Sequence, residues 1–174
     1  MNLFQRLFGP KADPRDPYRP LYAATVARAR APVWYLDGVP DTLDGRFDML
    51  AALLSLVMIR LERDEEGRQP SVHLAELFVD DMDGQLRQIG IGDMIVGKHI
   101  GRMMAALGGR LGAYREAGKD VDAIQAALIR NLWQGQDPGD SAAKVAGRMS
   151  SWAAALDAAG TDGILGGTLP DLPQ

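Results

Sequence analysis

The stretch Leu74–Tyr114, LAELFVDDMDGQLRQIGIGDMIVGKHIGRMMAALGGRLGAY, decides the fold. It reads as two helices joined by a tight Gly90-Ile91-Gly92-Asp93 corner, with Gly90 as an αL-type stop and Asp93 as the next cap. In the first helix Leu74, Phe78, Met82, Leu86 and Ile89 repeat at core spacing. Glu76, Asp80, Asp83 and Arg87 make its wet face, Asp83 and Arg87 forming an i,i+4 pair. In the second helix, at about 100° per residue, Val96, Ile100, Met103, Leu107, Leu111 and Tyr114 share an apolar sector about 80° wide. Gly97, Gly101, Gly108 and Gly112 occupy a neighbouring sector about 60° wide, and Lys98, His99, Arg102 and Arg110 much of the remainder. Four interior glycines forgo about 3–4 kcal/mol of helix propensity against alanine. Such a stripe is smooth enough for backbone-to-backbone approach of another helix. It either packs inside the domain or receives a foreign helix. Gly101, beside Ile100 near the corner, is expected inside, and Gly108 exposed.

Upstream of this pair, Leu43–Arg63 is apolar on almost every side and reads as a central helix that others surround. Thr42 is its expected N-cap. Its one polar strip is acidic, with Asp44, Asp48, Ser55 and Glu62 within about 40° of one another. Asp64-Glu65-Glu66-Gly67 and Pro70 read as the following loop, and Ser71 as the next cap. A first helix is expected over Leu21–Arg30, stopped by Pro32. The apolar patch Val33–Leu36 and the turn pair Asp37-Gly38 follow it. Downstream, Asp120 or Asp122 starts a helix reaching Trp133, and Asp140 or Ser141 caps a last helix running to Gly160. No segment alternates with period two for long. The expected fold is all-α, one domain of about six helices around residues 43–63. It spans 21–160, with an appendage and proline-rich linker at 1–20 and a loosely held tail at 161–174.

The 174 residues are 47% hydrophobic and 24% charged, enough for one full core. A net charge of −4 with dispersed basic residues does not support a nucleic-acid surface. The absence of cysteine excludes disulfides, thiolate metal sites and cysteine nucleophiles. No apolar run is long enough to cross a bilayer, and the N-terminus is short of a signal peptide, so the expected place is the cytoplasm. Leu3, Phe4, Leu7 and Phe8, beside Arg6 and Lys11, have the spacing of a weak membrane-surface helix, which would put the protein peripherally on the inner face of the membrane. A disordered or core-docked tail is the other reading of the same residues.

Asp80-Asp81-Met82-Asp83 has the look of the aspartate-rich helix that grips magnesium diphosphate in isoprenoid synthases. That chemistry needs a second facing cluster, for which Asp41, Asp44 and Asp48 are the available carboxylates. The other reading is a solvated acidic face. His73 and His99 are too few for a metal cluster, and no zinc-protease motif or nucleophile elbow is present. No cofactor is expected. Met82, Met94, Met103 and Met104 gather around the corner and the glycine helix, where flexible thioethers can repack around varied apolar partners.

The block Val39-Pro40-Asp41-Thr42-Leu43-Asp44-Gly45-Arg46-Phe47-Asp48-Met49-Leu50 combines with a second one. That second block is Asp80-Asp81-Met82-Asp83, Leu86-Arg87, Gly90-Ile91-Gly92-Asp93, Val96-Gly97-Lys98 and Met103. Together they resemble the ubiquinol–cytochrome c chaperone family, over roughly Leu21–Leu156. The resemblance implies a non-catalytic all-α chaperone that takes hold of newly made cytochrome b before the bc1 complex is assembled. In mitochondria the family works with a small partner protein near the ribosomal exit; this shorter chain looks like the α-proteobacterial form. Candidate partner-binding residues are Asp41, Asp44, Arg46, Phe47 and Asp48 in the first block. In the second they are Asp80, Asp81, Met82, Asp83, Arg87, Gly97, Lys98, Gly101, Met103, Met104 and Gly108. Aspartates beside an apolar groove would meet the basic cytoplasmic loops of a membrane-protein client. An all-α adaptor for another soluble protein and a magnesium-dependent isoprenoid-type enzyme are the alternatives.

Overall fold

Leucine, methionine, alanine and valine follow one another around the whole circumference of the helix Leu43–Leu61, so it can be stable only where neighbours cover every side. In the computed structural model, which describes residues 13–88 and 93–173, that is its position. A 3-10 turn, Asp16–Tyr18, precedes α1 (Arg19–Ala29) and α2 (Pro32–Leu36). The central helix is α3 (Leu43–Leu61), followed by α4 (Glu65–Gln88) and α5 (Asp93–Ala117). Last come α6 (Val121–Asn131) and α7 (Asp140–Leu165). The fold is all-α, and no strand occurs among the described residues. Setting aside the five-residue α2, the α-helices among the described residues number six, as expected.

Every residue of α3 from Asp48 to Met58 is buried, and α1, α4, α5 and α7 all pack on it. Leu74, Leu77 and Phe78 of α4 join this core with Ile124 and Leu128 of α6. So do Leu107 and Tyr114 of α5, and Val145, Met149, Trp152 and Leu156 of α7. Trp34 is sealed inside, its indole N–H donating to the Arg28 carbonyl over 2.8 Å. Thr42 caps α3 by accepting from Gly45 N, and Asp120 caps α6 by accepting from Ala123 N. Ala117 ends α5, and Gly118, in the left-handed region at φ 58°, donates to the Tyr114 carbonyl.

Two glycines are set by close approach to a backbone carbonyl. A Cβ at Gly45 would lie 2.1 Å from the Pro40 carbonyl oxygen, because the chain entering α3 folds back over its first turn. A Cβ at Gly67 would meet the Leu61 carbonyl oxygen at 2.1 Å, where α4 turns back against the end of α3. That tight reversal corrects the expected loop over Asp64–Pro70. Helix α4 begins at Glu65 and contains Pro70, and Ser71 is not its cap but a buried residue whose hydroxyl donates to Glu62 over 3.0 Å. The last helix also differs, since Gly139 precedes it and makes no side-chain cap.

The expected loose tail is corrected as well. Gly160 breaks the helical path at φ 70°, the chain turns once more, and Leu169 is buried. Carbonyls of Leu169 and Pro170 accept from Arg28, and the Pro170 carbonyl also accepts from Trp152 Nε1 over 3.1 Å. At the other end, residues 13–20 are docked and not an extended linker. Arg15 bridges Asp13 and Asp80, and the Tyr18 ring stacks on His73 with centroids 5.4 Å apart. The amphipathic run at residues 3–8 and the Gly90–Gly92 corner lie outside the described residues.

Candidate functional site

Three helices bring their i, i+3, i+4 positions to one open cleft of about 420 Å³. From the first two turns of α3 come Leu43, Asp44, Arg46, Phe47 and Leu50. The second half of α4 supplies Met82, Gln85 and Gln88, and α5 supplies Arg102, Met103 and Ala106. Arg30, just past α1, completes the lining. The floor is hydrocarbon and thioether. Leu43 is 67% exposed at its edge. A shallower recess continues past Arg30 and Arg46 to Tyr35 and Leu36, the latter 84% exposed.

Phe47 is fixed from two sides. Its ring is 5.8 Å from that of Phe78, and the Arg110 guanidinium carbon lies 5.6 Å from its centroid. Arg110 also ion-pairs with Asp48, and both side chains are about nine-tenths buried. Burial pushes the Asp48 carboxyl up to about 6, outweighing the opposing pull of Arg110. Just past the end of α3, Glu62 pairs with Arg115. The acidic strip of the central helix is therefore the seam along which α5 lies.

Four of the other expected aspartates are also engaged by this chain. Asp41 pairs with Arg46 at 2.7 Å, Asp80 with Arg15 at 2.6 Å and Asp83 with Arg87 at 2.7 Å. Asp81 accepts from Tyr22 OH at 2.8 Å and from Gln85 at 3.0 Å, and burial, joined by this carboxylate, pushes the Tyr22 hydroxyl well above its usual range. Asp80, Asp81 and Asp83 thus diverge to different partners. No group of three acidic, histidine or cysteine side chains converges as metal ligands would among the described residues. Of the six aspartates singled out, Asp44 is the one with no side-chain partner among the described residues.

The glycine stripe faces out. A Cβ placed on Gly97, Gly101, Gly108 or Gly112 meets no atom within 4 Å. Gly101, expected to pack inside, does not. The core-facing contacts of α5 are made by Leu107, Tyr114, Ile100, Met103 and Leu111, one sector away. Lys98 and Met104 are exposed on the same helix. So Asp44, Arg46, Phe47, Met82 and Met103 meet in the cleft, while Gly97, Lys98, Gly101, Met104 and Gly108 lie on the outer surface of α5. Sequence reasoning missed Arg30, Leu43, Leu50, Gln85, Gln88, Arg102 and Ala106. Its available signal was Leu43-Phe47-Leu50, an i, i+4, i+7 face beginning before the helix is buried.

The sequence matches, over residues 37–170, the family model described as ubiquinol-cytochrome C chaperone. Among solved structures, the chain is similar to the crystal structure of the Cbp3 homolog from Brucella abortus, with 27% identity and a TM-score of 0.80. The match covers 91% of this chain and 90% of that one. No curated protein matches the sequence.

Proposed function

The chain belongs to the ubiquinol–cytochrome c chaperone family, and from that premise we propose that it holds newly made cytochrome b until the bc1 complex takes it up. The observation that carries this reading is the open apolar cleft between α3, α4 and α5, whose Leu43 edge is left to solvent. A client made of apolar transmembrane helices needs cover for such surface before its partners arrive, and a cleft floored by Phe47, Met82 and Met103 offers hydrocarbon and adaptable thioether contacts. The outward glycines of α5 extend a smooth surface along the same helix. No helix among the described residues is long and apolar enough to cross a membrane. In this proposal the holder meets its client from outside the bilayer, on the inner face. The small partner protein of the mitochondrial systems and a weak membrane contact through residues 1–10 belong to the same proposal.

The test is recovery of cytochrome b with the tagged chain from detergent-solubilised membranes. Cytochrome b is expected with the wild type and lost with Leu43→Glu, a change at an exposed position that leaves the core intact. A strain lacking the gene should lose assembled cytochrome b while other membrane proteins keep their levels. Normal cytochrome b in that strain would remove the client from the proposal and leave an adaptor for another protein.

A further inference from the structure

The cleft's charges bear on what enters it. Arg30, Arg46 and Arg102 line it from three different elements, against one acid, Asp44. Arg46 is tied to Asp41, but among the described residues Arg30 and Arg102 make no ion pair or side-chain hydrogen bond. This excess of unpaired cation sits on a chain of net charge −4, most of whose acids are held by its own arginines. Cytoplasmic loops of membrane proteins are rich in Lys and Arg, and an arginine-lined mouth turns them away. Gln85 and Gln88 add amide groups on the α4 side.

We propose that the cleft takes an amphipathic helical protein segment, its apolar residues on Phe47, Met82 and Met103 and its carboxylates on Arg30 and Arg102. The inference rests on the reading of the cleft as the surface that holds a client, and it names the kind of segment held. An anionic lipid surface offers the same charge. Against that source, the cations are spread around a concave mouth, and the chain as a whole carries the sign that an acidic bilayer repels. Guanidinium groups at such a rim pair with carboxylates in two-pronged geometry and steer encounter more than they add affinity.

The test uses two fluorescent peptides of about 18 residues, long enough to form helix. They share a leucine face and differ only in carrying Glu or Lys at the flanking positions. The wild-type chain is expected to bind the Glu peptide at least about tenfold tighter than the Lys peptide, with the gap narrowing as salt screens the charges. Arg30→Glu with Arg102→Glu should reverse that preference, and a charge swap of this kind cannot come from misfolding. Equal binding of the two peptides, binding of neither, or a preference unmoved by the reversal overturns the proposal. So does flotation with phosphatidylglycerol vesicles that the reversal abolishes while peptide binding stays indifferent to charge, which would assign the rim to lipid headgroups.

The failure of this inference and of the client reading are separable. Cytochrome b lost with Leu43→Glu but retained with the charge reversal, alongside indifferent peptides, leaves the client reading and removes this one. A charge-selective cleft whose Leu43→Glu variant still recovers cytochrome b does the opposite.

Discussion

Arg110 sits where the fold and the cleft share a residue. It neutralises Asp48 between α3 and α5 and stacks over Phe47, yet its Nε is buried without a partner. Removing one member of a buried pair costs about 3–5 kcal/mol because the other charge is stranded. Arg110→Met should therefore lower stability at neutral pH by about 3 kcal/mol in urea unfolding. The loss should shrink towards pH 5, where the stranded Asp48 takes up a proton. Asp48 also sets a slope in the wild type. Its carboxyl titrates near 6 in the folded chain and near 3.8 when unfolded. Between those values the folded state binds more protons, so this residue makes stability fall as pH rises from about 4 to about 6. Asp48→Asn should abolish that slope. Asp41, held down by Arg46, and Asp64, held down by Thr161 and Arg60, act in the opposite direction below their ordinary value.

Helices α3, α4 and α5 differ in what their glycines are for. At Gly101 and Gly108 a side chain enters open space, so Gly101→Leu and Gly108→Leu should each raise stability by about 0.8 kcal/mol of helix propensity. At Gly45 and Gly67 a Cβ meets a carbonyl oxygen at 2.1 Å, so Gly45→Ala and Gly67→Ala should lower stability by about 1–3 kcal/mol through overpacking. Urea midpoints of the four variants check the opposite signs. If the outer face of α5 takes part in client holding, Gly108→Leu should also reduce cytochrome b recovery while the protein itself becomes more stable.

The two ends of the molecule should respond differently to truncation. Cutting after Gly167 removes the buried Leu169 and the carbonyl partners of Arg28 and Trp152. Burial of one leucine is worth about 2 kcal/mol, so the truncated chain should unfold at clearly lower urea. Removing residues 1–10 leaves Arg15 on Asp80 and Tyr18 on His73 in place. That variant should keep the wild-type midpoint while less of it sediments with membranes. Equal membrane recovery of both forms would dispose of the N-terminal contact.

The sequence by itself determined the all-α class, the central place of α3 and the main helices apart from α2 and the first turns of α4, because 3.6-residue periodicity and an all-round apolar surface are local properties that only enclosure satisfies. It also determined the cap at Thr42, where a side-chain oxygen reaches an amide three residues on, and narrowed the start of α6 to Asp120 or Asp122, of which the structure uses Asp120. Family membership was legible too, in the two blocks around Asp44 and Asp80. The tertiary structure alone decided which way the glycine stripe turns. Periodicity sets the angle between glycine and apolar sectors on α5, but not which sector its neighbours cover. In the fold that rotation brings the apolar sector of α5 onto the core and sets Arg110 and Arg115 against Asp48 and Glu62. The same holds for the cleft, whose residues come from four separate elements, and for the tail, whose dock on Arg28 and Trp152 joins positions far apart in the chain. Contacts of that range leave no spacing in a sequence, because they are set by how helices pack and not by how each one forms.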